Sequence, residues 1–282
     1  MKGRADMPGA VTAELGYLDD PCKADDGRDL HYFADWGRTT NARLRPRPVR
    51  IADARGRGDE LTLDRHGFAL HRWPSEVRDF VDTDAISESY VAECAMLVRS
   101  LTGCDATFQA GPIHCRFDNL RDPLARYDGA PAYYVHSDYS PASAEMSRAL
   151  LPGGGGGFAR LAVYNIWRSV TPPPQSRPLA VCDVTSLQPG DAQESQVVMG
   201  YNTGDIEFFT QLYRPRDAHR WFYFSDMAPD EVLVFKCFDS DPGRASFVPH
   251  CAFRDPGQPE GAARMSIEAR IWAGFSNSVP HR

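Results

Sequence analysis

His136 and Asp138 lie two residues apart in the stretch Tyr133-Tyr134-Val135-His136-Ser137-Asp138-Tyr139, where aromatic and β-branched residues favour a strand. Residues two apart in a strand point to one face, so an imidazole and a carboxylate would converge on one point. A distant second histidine would complete a 2-His-1-carboxylate set, the arrangement that holds Fe(II) and leaves coordination positions open. The best candidate is His250, in Phe247-Val248-Pro249-His250-Cys251-Ala252-Phe253. The pair alone is a weak signal: with 8 His and 27 Asp in 282 residues, chance supplies one His-x-Asp about once. Its plain alternative is a surface histidine followed by a turn aspartate before Ser140-Pro141. Cys251 is a poorer ligand candidate, because adjacent strand residues face opposite ways.

Three protein ligands leave iron with further positions, two for chelation by a 2-oxo acid and one for O2. The far carboxylate of such a cosubstrate needs a buried cation, and the planar fork of arginine grips a carboxylate bidentately. Beyond His250 the sequence offers Arg264-Met265-Ser266-Ile267-Glu268-Ala269-Arg270. Arg264 and Ser266 share a strand face, so guanidinium and hydroxyl can converge on one carboxylate. Arg270 shares that face but lies roughly 20 Å further along at ~3.3 Å per residue. Arg264 with Ser266 is therefore the first choice and Arg270 the second, surface arginines on an edge strand being the alternative. Asn165 alternates with Trp167; it would face a barrel interior and hydrogen-bond the 2-oxo acid, or be an ordinary buried asparagine satisfied by backbone.

These residues need a scaffold that joins positions 138 and 250. From residue 158 onward the pattern is strand after strand: 158–167, 179–183, 196–198, 206–213, 221–224, 232–238, 246–248 and 266–275. Turn signals such as Gln188-Pro189-Gly190, Asp241-Pro242-Gly243 and Asp255-Pro256-Gly257 separate them. Many short strands at near-regular spacing imply a sandwich or jelly roll. Short strands are also expected around 31–33, 49–53, 61–63, 106–109 and 113–117, where His114 and Arg116 share a face and can line a pocket. The clearest helix spans 84–101: Ile86, Tyr90, Cys94, Leu97, Val98 and Leu101 form one apolar stripe, Thr83 or Asp84 can cap it, and Gly103 stops it. A shorter helix is expected over 142–151. Gly153 to Gly157 has no preceding strand and no following Lys-Ser/Thr, which suggests a mobile loop beside the site rather than a phosphate cradle. The expected fold is α+β, mainly β: a double-stranded β-helix with packing helices from the N-terminal part. It would form a single domain over 1–282, with residues 1–60 a loosely attached lead-in and arm and 61–282 the core.

Net charge is −7, which gives no electrostatic case for nucleic acid or an anionic membrane. The seven arginines between 38 and 57 are interleaved with Pro and Gly and lack aromatics, as in a solvated arm. No apolar run approaches the ~20 residues needed to cross a bilayer, and the N-terminus shows no basic-then-apolar signal segment. The seven cysteines are scattered without a Cys-x-x-Cys pair, which suits reduced thiols and a cytoplasmic protein. His66 and His71 have no carboxylate at ligand spacing and read as structural; Trp221 and Tyr223 read as core or pocket wall.

Eight blocks in order now carry a resemblance: Leu63–Phe68 (LDRHGF), His136–Tyr139 (HSDY), Asn165–Arg168 (NIWR), Pro178–Asp183 (PLAVCD), His219–Met227 (HRWFYFSDM), Asp230–Ser240 (DEVLVFKCFDS), His250–Pro256 (HCAFRDP) and Arg264–Arg270 (RMSIEAR). Together they resemble the CmcJ/AsaB-like hydroxylase/desaturase family of non-haem Fe(II)/2-oxoglutarate-dependent oxygenases, over roughly residues 63–275. The resemblance implies His136, Asp138 and His250 as iron ligands, the Arg264 segment at 2-oxoglutarate, and O2 as co-reactant. It also implies a small-molecule substrate, such as an amino acid or a biosynthetic intermediate, in natural-product biosynthesis. The five-glycine run and the small Ala269 depart from the pattern without touching the metal set.

Two other readings fit the residues taken alone: a cupin-like metal enzyme that uses no 2-oxo acid, and a non-catalytic β-sandwich binding module. One anaerobic experiment separates them. The oxygenase binds iron stoichiometrically and develops a visible charge-transfer band when 2-oxoglutarate is added; the cupin binds metal without the band, and the binding module takes up no stoichiometric iron.

Overall fold

Along Met265–Phe275, Ser266, Glu268, Arg270 and Trp272 alternate with Ile267, Ala269, Ile271 and Ala273. The second set packs into one apolar cluster while Trp272 joins another, so this strand separates a polar-lined interior from a helix-covered exterior. The computed structural model describes residues 9–19, 31–33, 42–57, 60–80, 86–117, 131–175, 177–201, 204–258 and 264–276. Strands run in chain order as β1 (Val11–Leu18), β2 (His31–Phe33), β3 (Leu44–Asp53), β4 (Phe68–Arg72), β5 (Ala106–Gln109), β6 (His114–Phe117), β7 (His136–Ser137) and β8 (Arg160–Ser169). They continue as β9 (Leu179–Cys182), β10 (Ala192–Tyr201), β11 (Gly204–Tyr213), β12 (Trp221–Tyr223), β13 (Glu231–Asp239), β14 (His250–Ala252) and β15 (Met265–Phe275). Helix α1 (Val91–Thr102) follows β4, and α2 (Pro141–Ala149) follows β7.

The larger sheet has the order β1-β3-β12-β9-β14-β7-β11-β10-β2 and the smaller β4-β13-β8-β15-β5, with β6 also on β15. Their inner faces meet in a shared core in which Phe68 of β4 and Phe222 of β12 stand 5.8 Å apart. This is the double-stranded β-helix that the strand pattern implies. Helix α1 covers the outer face of the smaller sheet: Cys94, Leu97 and Val98 pack with Tyr164, Ile166, Ile271 and Ala273. A π-helical turn, Ile86–Tyr90, leads into it, and Gly103 ends it with φ 66°, a left-handed conformation that glycine adopts without strain. The expected cap at Thr83 or Asp84 lies outside the described residues.

Four expectations need correction. Residues 11–18 are not a loose lead-in but β1, because Ala13, Leu15 and Tyr17 alternate into a buried cluster against Ile51 and Trp221. Residues 44–48 are not part of an arm but extend the expected strand 49–53 into β3, with Arg45, Arg47, Pro46 and Pro48 on exposed backbone. Residues 61–63 and 246–248 form turns and connections rather than strands. Gly153 to Gly157 is a hydrogen-bonded turn: Gly154 donates to the Leu151 carbonyl, Arg148 to the Gly154 carbonyl, and Gly155 is buried.

β1 also reaches the stretch that carries His136. Gly16 donates to the Tyr133 carbonyl at 3.1 Å and accepts from Val135 at 2.8 Å. A Cβ at Gly16 would stand 2.6 Å from the Tyr133 oxygen, a contact that only backbone displacement relieves. Gly16→Ala is expected to lower unfolding free energy by about 1–3 kcal/mol and to weaken divalent-metal binding, as measured by urea denaturation and metal titration.

Candidate metal centre

β7 and β14 are neighbours in the larger sheet, and His136 pairs directly with His250 across them. Direct cross-strand partners project to the same face, so the two imidazoles lie with centroids 4.3 Å apart. Asp138 follows β7 on the same parity. One donor atom from each of His136, Asp138 and His250 lies within 4.8 Å of the others, and all three residues are buried. The His250 Nε2 stands 3.6 Å from the Asp138 Oδ1. Cys251 packs into the cluster on the opposite, outer face.

Each imidazole is oriented in the same way. His136 Nδ1 lies 2.9 Å from the Tyr134 carbonyl and His250 Nδ1 lies 3.1 Å from the Val248 carbonyl. A carbonyl only accepts, so Nδ1 donates in both and Nε2 keeps its lone pair for a metal. Tyr134 and Phe235 flank the two rings at 4.6 and 4.7 Å. Burial, with His250 beside it, pushes the His136 imidazole down to about 3, so the ring is the neutral donor that metal binding requires. Burial works against the Asp138 carboxylate, but Arg270 and then His250 outweigh it and hold the group well below the usual carboxylate range.

The other oxygen of Asp138 is engaged by the barrel wall. Its Oδ2 accepts from Asn165 Nδ2 at 2.8 Å and from the Cys237 thiol at 3.4 Å. Cys237 sits where the register of β13 on β8 shifts between Lys236 and Phe238; a bulge there re-aims the side chain. Arg270 Nε lies 3.8 Å from the same oxygen. Asn165 thus faces the interior, as parity implies, and it contacts a carboxylate rather than backbone. Glu268, buried between Ser266 and Arg270 on the same face, lies 3.3 Å from Arg116 and 3.8 Å from Arg270. His114 is buried opposite Glu268 in the pairing of β6 with β15.

Arg264 is buried at the start of β15, donates to the Arg177 carbonyl at 2.7 Å, and lies 5.4 Å from the Trp167 ring centroid. The buried Ser266 hydroxyl has no hydrogen-bond partner among the described residues, which leaves its bonding capacity open to a ligand. Strand parity puts Arg264 on the face of Ser266, whereas Arg270 stands beside Asp138. Glu268 and Cys237 had no assigned role from sequence, although strand parity put Glu268 on the site face. His66 hydrogen-bonds within its own turn.

Fold and donor set together define a class: a jelly-roll protein suited to hold a divalent metal with positions left open. A family profile described as "Oxidoreductase/YMDC permease-like domain" matches residues 15–273. Hydroxylase/desaturase efuI of Hormonema carpetanum is 33% identical over 255 residues, covering 82% of this chain and 85% of that protein. The Fe(II)/2-oxoglutarate-dependent dioxygenase nvfI of Aspergillus novofumigatus is 31% identical over 240 residues, covering 80% and 82%. Among solved structures, an iron and alpha-ketoglutarate-dependent endoperoxidase NvfI matches with a TM-score of 0.81 at 26% identity, over 96% of this chain and 100% of that one. The chain belongs to this oxidoreductase family, in its hydroxylase/desaturase group of non-haem Fe(II)/2-oxoglutarate-dependent oxygenases. No helix among the described residues is long and apolar enough to cross a membrane.

The depressed His136 value fixes the sign of a pH effect on the metal-free protein. The unfolded chain takes up the proton near the ordinary imidazole value, the folded one only near 3. Stability is therefore present above about 6.5 and lost as pH falls below it. Chemical denaturation is expected to show a loss of about 2 kcal/mol from this group between pH 7 and pH 5, reduced in His136→Gln.

Proposed function

We propose that the chain acts as a single domain, an Fe(II)/2-oxoglutarate-dependent oxygenase that breaks a C–H bond of a small molecule, with His136, Asp138 and His250 as iron ligands. The observation that carries this reading is the convergence of those three donors, with both Nδ1 atoms committed to backbone carbonyls. Iron, 2-oxoglutarate and O2 together supply an oxidant able to take hydrogen from an unactivated carbon. Arg264 and Ser266 hold the far carboxylate of the cosubstrate. Trp167 packs under the guanidinium, which keeps the grip dry and the charge pair strong. Tyr134 and Phe235, beside the ligand rings, offer an apolar wall to the substrate. Hydroxylation, desaturation and oxidative cyclisation all begin with this hydrogen removal, and relatives named hydroxylase/desaturase support a small natural-product intermediate as the substrate. Family membership leaves the cupin-like and binding-module alternatives without support. The six free cysteines among the described residues suit the cytoplasm.

With ferrous iron and ascorbate, the protein is expected to release succinate and CO2 from 2-oxoglutarate, and His136→Ala to abolish that release. Arg264→Ala should raise the 2-oxoglutarate dissociation constant about tenfold or more, the loss of a charge-assisted pair. It should leave binding of 2-oxobutyrate, which lacks the far carboxylate, unchanged. Equal weakening for both acids in anaerobic titration would take Arg264 away from the far carboxylate.

A further inference from the structure

Asp138 carries two oxygens, and the protein treats them differently. Oδ1 faces His250 Nε2. Oδ2 faces the smaller sheet, where Asn165 Nδ2 donates to it at 2.8 Å, the Cys237 thiol donates at 3.4 Å, and the Arg270 charge stands 3.8 Å away. The orientation of the Asn165 amide is fixed chemically. Its NH2 group lies between two carboxylates, Asp138 Oδ2 and, at 3.5 Å, Glu268 Oε2. A flipped amide would put its oxygen against both. Glu268 is anchored in turn by Arg116, at 3.3 Å, and lies 3.8 Å from Arg270. All of these groups hang from paired strands: Asn165 faces Arg270 in the register of β8 with β15, and Arg116 faces Ser266 in that of β6 with β15. The Glu268 and Asn165 side chains are buried and that of Arg270 is only 12% exposed, so their positions are set by the barrel wall more than by solvent.

We propose that Asn165 and Arg270, anchored on Glu268, are positioning residues that hold the Asp138 Oδ2 in the barrel wall, so that the carboxylate offers a metal one oxygen only. The inference rests on the iron-oxygenase reading above and deepens it. A carboxylate free to turn would present both oxygens and occupy a position that the 2-oxo acid needs. The consequence is a split between two affinities. Loosening this clamp leaves three protein ligands and hence metal binding, while the cosubstrate must displace a carboxylate oxygen to chelate. A merely structural role would lower both affinities together, because a loosened wall disorders all three ligands.

The test uses the full chain without oxygen, with Fe(II) bound and 2-oxoglutarate titrated through the visible charge-transfer band; Fe(II) affinity is measured separately by competition with a chelator. Asn165→Ala and Arg270→Gln are made independently, since one removes the hydrogen bond and the other the charge, and each is checked for a wild-type unfolding transition. The expected result in either folded variant is Fe(II) affinity within about threefold of wild type and a 2-oxoglutarate dissociation constant raised about tenfold or more, the size of effect that outer contacts of a metal ligand carry. A 2-oxoglutarate affinity that stays at the wild-type value, or that falls in step with Fe(II) affinity, overturns the clamp. A wild-type protein that takes up no iron or shows no band overturns instead the function on which it rests, and the two failures are told apart by that control.

Discussion

The direct pairing of His136 with His250 across β7 and β14 is the constraint on which the centre depends. A slip of one residue in either strand would turn an imidazole to the outer face, where Val135 and Cys251 now pack with Leu15 and Tyr17. The register is held from both sides. β11 pairs with β7, β9 pairs with β14, and β1 bonds to the backbone at Tyr133 and Val135. The ligand geometry is thus inherited from sheet hydrogen bonds and from an apolar cluster that contains no ligand.

Electrostatics supplies the second constraint. The barrel interior holds Asp138 and Glu268, both buried, and neither is left alone: Arg270 stands between them and Arg116 on the far side of Glu268. Buried charges survive only when compensated, and here signs alternate along the row Arg116, Glu268, Arg270, Asp138. Arg264 stands apart from that row, at the other end of β15 against Trp167. The two arginines of one strand face therefore stand in different surroundings, Arg270 among carboxylates and Arg264 against an indole and a backbone carbonyl.

Much of this was legible in the sequence because period and parity report faces. The stripe from Ile86 to Val98 identified the helix that covers the smaller sheet, and the even positions from Arg264 to Arg270 identified the interior face. What escaped has physical reasons. β1 was hidden because its alternation of Ala13, Leu15 and Tyr17 sits among aspartates. The first half of β3, residues 44–48, was read as part of an arm because Pro46 and Pro48 interleave its arginines and no aromatic stands among them. In the structure the two prolines lie where β3 pairs with β1 alone, β12 joining only at Ile51–Asp53, so their missing donors face an unpaired side. The Cys237 contact depends on a bulge, and bulges leave no periodic trace. The glycine run looked loose by composition, yet three of its residues take positive φ in a tight turn that closes under Leu161, a use of glycine that composition does not distinguish from flexibility.

The place of β15 in the smaller sheet has a consequence for assembly. It is the final strand in chain order among the described residues, yet it is central, lying between β8 on one side and β5 and β6 on the other. Its partners precede it by about a hundred residues or more, so the ribosome completes them first, and until β15 is made their facing edges lack a partner strand. Arg264, Ser266, Glu268 and Arg270 all enter with that one strand. The charged interior face of the smaller sheet is therefore completed only by the strand made last, after every strand of the larger sheet, the two that carry the histidines included.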